Sequence, residues 1–142
     1  MPKQENIDVL LRALAKFNVG DIEGYLEMYD KAVIFHGYGR HLMPGIAGLR
    51  EYYARLRQGF PDMRIDQEEM IAEDNKIFRR FTFYGTHKGD YWGVPPSQKF
   101  VATAGQMVLH FKSGKCVEVW QLTDGVTFLT LIGAIPPFVP KR

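Results

Sequence analysis

One cysteine, Cys116, is all that this chain contains. It therefore has no internal disulfide framework and no cysteine-built zinc site. Four histidines, His36, His41, His87 and His110, are present, but no H-x-H or H-E-x-x-H spacing joins them, and no metal is expected. Gly85-Thr86-His87-Lys88-Gly89 is not a phosphate-cradling loop, and no dinucleotide fingerprint or G-x-S-x-G elbow occurs. No cofactor is expected either. Charge of one sign is also lacking: 18 basic and 16 acidic residues leave a formal net charge of +2. Nucleic-acid binding needs a basic stripe. The nearest candidate, Arg50, Arg55 and Arg57 with Glu51 among them, reads as a solvated helix face. Long apolar runs are missing too. The stretch from Val126 to Val139 is broken by Gly133, Pro136 and Pro137, so no membrane span is expected. The N-terminus lacks the apolar core of a secretory signal. A reducing, cytoplasmic home is the expectation.

Apolar residues make up 46% of the sequence and aromatics 13%, with 10 Phe and 7 Tyr. That is material for a packed core and an aromatic-walled pocket. Ile7, Leu10, Leu11, Leu14 and Phe17 recur at helical spacing, stopped by Asn18-Val19-Gly20. Asp21 can cap a second short helix carrying Ile22, Tyr25, Leu26 and Tyr29. Ala32 to His36 reads as a strand, Gly37 to Gly45 as a loop, and Ile46, Leu49, Tyr53 and Leu56 as a third helix ending near Gly59. From Met63 the period changes to two. Strands are expected at about 63–73, 76–87, 98–111 and 115–124, with turns at Asp74-Asn75 and Ser113-Gly114. A three-residue hairpin loop would set Phe111 opposite Lys115, with Gly114 left-handed. Cys116, Glu118, Trp120, Leu122 and Asp124 would then share a face with Gln106, Val108 and His110. Val117 and Val119 would lie opposite, with Val101, Met107 and Leu109. Both faces hold apolar groups, so helices are expected on one and a second copy of the chain, a homodimer, on the other. The whole, residues 1–142, reads as one α+β domain without repeat or linker. Its curved antiparallel sheet and N-terminal helices are expected to enclose a small-molecule pocket.

Asp124 is the leading candidate for chemistry. It ends the last strand, in phase with Glu118 and Trp120, near Phe128 and Leu129. Apolar surroundings would raise its pKa toward neutrality and let it move a proton from an acidic carbon. The alternative is a helix cap at Gly125. Glu118 reads as a rim residue or the partner of Arg79 or Arg80. His36 opens a glycine-rich loop and His87 ends a strand; either of them, or Gln106, could donate to an oxyanion. His110, a further catalytic candidate, shares the face of Asp124 but lies near the far end of the hairpin, so contact between them needs a bulge or strong bending. Trp120, Gln106, Phe83, Tyr38, Phe128 and the Tyr91-Trp92 pair are the candidate substrate-binding residues. The last pair sits in a Gly/Pro-rich loop as apolar area without an evident core, and could form a lid. Cys116 reads as a small core residue.

Several stretches together carry a likeness. They are Asn18-Val19-Gly20-Asp21, His36-Gly37, Gly45-Ile46-Ala47-Gly48-Leu49, Phe60-Pro61-Asp62-Met63-Arg64 and Gly85-Thr86-His87-Lys88-Gly89. Gly93-Val94-Pro95-Pro96 and Gly114-Lys115-Cys116-Val117-Glu118-Val119-Trp120 with Asp124 complete the series. In order and spacing the sequence resembles the SnoaL-like polyketide cyclases, from about Asn6 to Pro136. The resemblance implies the cone-shaped fold shared with nuclear transport factor 2 and ketosteroid isomerase. It implies an acid/base aspartate at Asp124 and an aldol-type ring closure without cofactor or metal. Family patterns commonly carry arginine where this chain has His110. A binding protein without turnover, or an epoxide hydrolase or isomerase of the same fold, is the alternative reading.

Overall fold

The structure, a computed structural model, describes residues 2–142. Helices α1 (Pro2–Asn18) and α2 (Ile22–Leu26) precede strand β1 (Tyr29–His36) and helix α3 (Ile46–Gly59). Strands β2 (Arg64–Glu73), β3 (Lys76–Thr86), β4 (Phe100–Lys112) and β5 (Lys115–Thr123) follow, and helix α4 (Gly125–Leu131) closes the order. The elements read from periodicity are therefore present, with ends displaced by a few residues. Local chemistry accounts for the joints. The Asp21 carboxylate caps α2 by accepting from Gly24 N at 2.9 Å. Asn18 clamps α1 to β2, donating to and accepting from the Ile65 backbone at 2.8 Å each way. Asp74, at φ 53°, takes the left-handed turn between β2 and β3.

The five strands lie in the order β1-β5-β4-β3-β2. This corrects the expected curved antiparallel cone: the sheet is open, with β1 and β2 as its two edges, and it is not curled onto itself. It is also mixed, because β1 pairs parallel to β5 with His36 opposite Trp120. Period-two patterning reports which face a residue takes, but not which strand lies beside it, so the partner of β1 was invisible in the sequence.

The final hairpin also departs from expectation. Ser113 and Gly114 both have positive φ, 50° and 78°, in a two-residue turn that pairs Lys112 with Lys115. A bulge then shifts the ladder between His110 and Phe111, setting Phe111 opposite Cys116 and His110 opposite Glu118. The extra residue moves Cys116 to the inner face, where it is fully buried. Burial pushes its thiol up to about 12, so it is an inert core group as expected.

Leu10, Leu14 and Phe17 of α1 and Leu49, Tyr53 and Leu56 of α3 pack against one face of the sheet. That face presents Ile77, Phe81, Val101, Leu109 and Val119. The other face is uncovered in the single chain, with Ile34, Phe100 and Leu122 exposed. No helix among the described residues is long and apolar enough to cross a membrane.

Gly37 joins β1 to the following loop at φ 89°, and a Cβ there would stand 1.9 Å from the Gln121 carbonyl oxygen. Both the left-handed backbone and the close approach require glycine. Gly37→Ala is expected to cost more than about 1 kcal/mol, read as a lowered chemical-denaturation midpoint; an unchanged midpoint would contradict this account.

Candidate functional site

A cavity of ≈ 90 Å³ lies between the inner face of the sheet and helices α2, α3 and α4. Phe81 and Phe83 of β3, Leu56 of α3 and Phe128 of α4 give it apolar walls. Phe60, Tyr91 and Phe128 pack edge-on or tilted at 5.3–5.8 Å around one end. Gly105 lets the Phe81 ring lie against β4: a Cβ at that position would be 2.4 Å from the ring.

The polar groups lining this cavity are few. Gln121 donates to the Tyr52 hydroxyl at 3.1 Å. Tyr25 shares hydrogen bonds with Tyr29 at 2.8 Å and Tyr53 at 3.1 Å. Burial raises the pKa values of Tyr25, Tyr52 and Tyr53, for Tyr53 well above the ordinary value, with neighbouring phenols adding to it. These phenols are therefore protonated at neutral pH. The Thr103 hydroxyl is buried without a partner. Arg79, 1% exposed, is the one ionised side chain among the lining residues. The cavity thus carries hydrogen-bond donors and a positive charge, and no carboxylate or histidine lines it.

Three expected substrate-binding residues meet here: Phe83, Tyr91 and Phe128. The others lie elsewhere. Tyr38 is buried beside the site, its ring edge-on to Tyr52 at 4.9 Å, with its hydroxyl unpartnered. Trp92 is exposed on the tip of its turn, under the Arg55 guanidinium at 4.9 Å. His36, His110, Glu118 and Trp120 gather on the outer face. His36 Nε2 lies 2.8 Å from Glu118 Oε2 and its ring stacks on Trp120 at 5.0 Å. His110 leans on Trp120 at 4.7 Å. Glu118 therefore pairs with His36, not with Arg79 or Arg80; Arg80 instead reaches Glu69 at 3.4 Å.

His87 continues the inward phase of β3 and is fully buried, stacked on Phe60 at 5.3 Å. Its Nδ1 accepts from Ser97 N at 3.0 Å, which leaves the proton on Nε2.

Asp124 and Gln106 line an open groove on the outer side of the sheet end. The Asp124 carboxylate is exposed and caps α4, accepting from Thr127 Oγ1 at 2.6 Å and Thr127 N at 3.1 Å. These bonds hold its pKa below the ordinary value. The rise expected from apolar surroundings is absent, because the side chain meets water and two donors instead. The capping alternative describes its geometry.

Sequence reading missed Arg79, Thr103, Gln121 and Tyr52 as lining residues. Arg79 had a signal: it occupies an inward position between Ile77 and Phe81, where alternation calls for an apolar group.

The family model of SnoaL-like polyketide cyclases matches residues 8–131. This chain belongs to that family. Solved structures share the fold at low identity. AclR from Streptomyces galilaeus is 24% identical, with a TM-score of 0.85 over 98% of this chain and 87% of that one. A SnoaL-like protein from Jannaschia sp. CCS1 is 24% identical, with a TM-score of 0.81 over 94% and 95%. TerC, solved with polyporic acid, is 24% identical, with a TM-score of 0.71 over 90% and 98%. No curated protein sequence matches. The names of the relatives span a hydroxylase and polyketide cyclases, so membership in the SnoaL-like family fixes the scaffold but not the reaction.

The cap makes a prediction about acid. A lowered folded pKa contributes stability above the unfolded value of 3.8, and that contribution is lost as pH falls through the folded value. Asp124→Asn keeps an acceptor for Thr127 N but lacks the charge, so it should melt somewhat below the parent at neutral pH and converge with it in acid. Asp124→Ala should melt lower at neutral pH. Thermal denaturation of both variants at neutral and acid pH checks this; an alanine variant as stable as the parent would remove the cap from the account.

Proposed function

We propose that this chain is a cofactor-independent proton-transfer enzyme performing an aldol-type ring closure on a flat, mostly apolar small molecule. The observation that carries the reading is the aromatic-walled cavity that holds the Arg79 guanidinium and hydroxyl and amide donors, with no carboxylate among its lining residues. Such a cavity favours an oxyanion over its neutral parent. Asp124 follows Thr123, which lines the cavity, and precedes Phe128, which closes one end of it. Thr123 borders both the cavity and the outer groove that holds Asp124, so a substrate would have to reach round this strand end to meet the carboxylate.

With its pKa held low, Asp124 is ionised at neutral pH and is a weak base. It suits only a carbon made acidic by two flanking carbonyls. It would take that proton; the enolate carbon would attack a second carbonyl, forming the carbon–carbon bond; the new alkoxide would recover the proton from the Asp124 carboxyl. No redox partner is needed. TerC, which shares the fold, was co-crystallised with polyporic acid, a precedent for a small-molecule ligand on this scaffold.

The cavity of ≈ 90 Å³ is well below the roughly 300–1,000 Å³ of drug-sized sites. It holds one ring, and a larger substrate would leave the remainder at the mouth. Asp124→Asn is the deciding variant, since it removes the base but keeps the cap. Turnover of a poly-carbonyl aromatic substrate should be abolished in a variant that still folds; parental turnover would end the assignment of Asp124 as base. One observation favours a second reading, a binding protein without turnover: the carboxylate is already engaged by Thr127. Ligand binding without product would establish it.

The outer face is the surface we assign to a second copy of the chain. Ile34, Phe100 and Leu122 lie exposed there, 55%, 63% and 72% respectively, and burying them is the favourable term in pairing. Leu122→Glu should shift a dimer to monomer in sedimentation velocity. A parent that is monomeric at all concentrations would refute this.

A further inference from the structure

We infer that Arg79 is the receptor for an anionic oxygen of the ligand, so that the cavity takes small planar monoanions, carboxylates or enolates, in preference to neutral rings. This rests on the reading of the cavity as the ligand site.

The guanidinium is buried at 1% exposure. Its Nε donates to Gln67 Oε1 at 2.8 Å, and Nη1 approaches Met107 Sδ at 2.9 Å. Nη2 has no partner. Beneath the group lies the Phe81 ring, 4.4 Å from Cζ to centroid. Among the described residues Arg79 makes no ion pair. The nearest acceptor is an amide: Gln67 supplies an oxygen without a charge.

A buried charge is ordinarily paired, because burial removes the water that stabilises it. Most buried ionisable groups escape by neutralising, but arginine cannot shed its proton in a protein. A sulfur and an aromatic face are weak compensation. The charge therefore calls for a partner from outside the chain, and the two N–H bonds of Nη2 are the free donors that a carboxylate or enolate oxygen would accept.

Position supports this. Arg79 pairs with Met107, and Met107 with Gln121, in one row across the sheet. Phe81, Gly105 and Thr123 form the next row toward the mouth. Arg79 thus stands two residues, roughly 7 Å of strand, inward of Thr123. Between them the Phe81 ring lies flush over the side-chain-free Gly105, so a ligand reaching Arg79 from Thr123 would pass along that ring.

The test uses four single-ring or ring-sized probes in isothermal titration of the intact protein. Benzoate is a carboxylate and benzamide its neutral counterpart; 1,3-cyclohexanedione is an enolate at neutral pH and cyclohexanone its neutral counterpart. The expected result is binding of at least one anion tenfold or more tighter than its counterpart. Arg79→Met, and Arg79→Gln should the first fail to fold, should abolish that preference while leaving the affinity for neutral rings unchanged. Whichever anion shows the preference identifies the source, carboxylate or enolate. Equal binding of anions and neutral rings, or a preference that survives loss of Arg79, would overturn the inference and leave the cavity reading standing. Thr123→Trp, which blocks the mouth, separates the two. If it fails to weaken ring binding, or if no probe binds the parent, the cavity is not the ligand site and both readings fall.

Discussion

Helices cover one face of the sheet and leave the other to solvent, and this one-sided cover governs every strand residue. With side chains alternating between faces, each inward position contributes either to the core or to the cavity. Along β3 the inward series runs Ile77, Arg79, Phe81, Phe83, Gly85 and, just past the strand, His87, all buried. Two of these six are polar. One, His87, is answered on one nitrogen by the backbone of Ser97. The other, Arg79, is answered by nothing of opposite charge. A strand that builds the core therefore also sets the electrostatic character of the cavity, because phase leaves those side chains no other direction.

Much of the fold could be read from the sequence for the same reason. Burial writes period 3.6 into α1 and α3 and period two into β2 to β5, and turn residues such as Asp74 and Gly114 mark the reversals. Sheet shape could not be read. Whether β1 closes a barrel, extends an antiparallel ladder or lies parallel on an edge depends on contacts between residues some eighty positions apart, such as His36 and Glu118, which no local pattern records. The β5 bulge was hidden similarly: one extra residue, Val117, brings Cys116 onto the inner face without altering composition. The candidate site was partly legible. Phe83, Tyr91 and Phe128 followed from aromatic content near strand ends, whereas the histidines drew attention by chemistry alone and two of them turned out to face outward.

That outer surface combines groups of different kinds. His36, Trp120 and His110 form a stacked series with Glu118 bonded to the first ring. Aromatic contacts and a charge-assisted hydrogen bond hold these side chains in fixed places on a half-exposed sheet. They stiffen the junction between β1 and β5, the parallel pairing that fixes Gly37 against the Gln121 carbonyl. Through Gln121, whose side chain reaches the Tyr52 hydroxyl, an edge strand on the outside is tied to the lining of the inside.

Helix α4 has a different standing. It contains no fully buried residue, and only Phe128, Leu129 and Thr130 turn partly inward from its middle. Its two ends are better fixed, by the Asp124 cap in front and by Ile132, 2% exposed, behind. A segment with so few buried contacts opens at lower free energy than the strands beneath it. Its amides should thus exchange with solvent deuterium sooner than those of β4, and the helix would behave as a shutter swinging on Ile132, widening the interior for a guest of several rings while the sheet stays still.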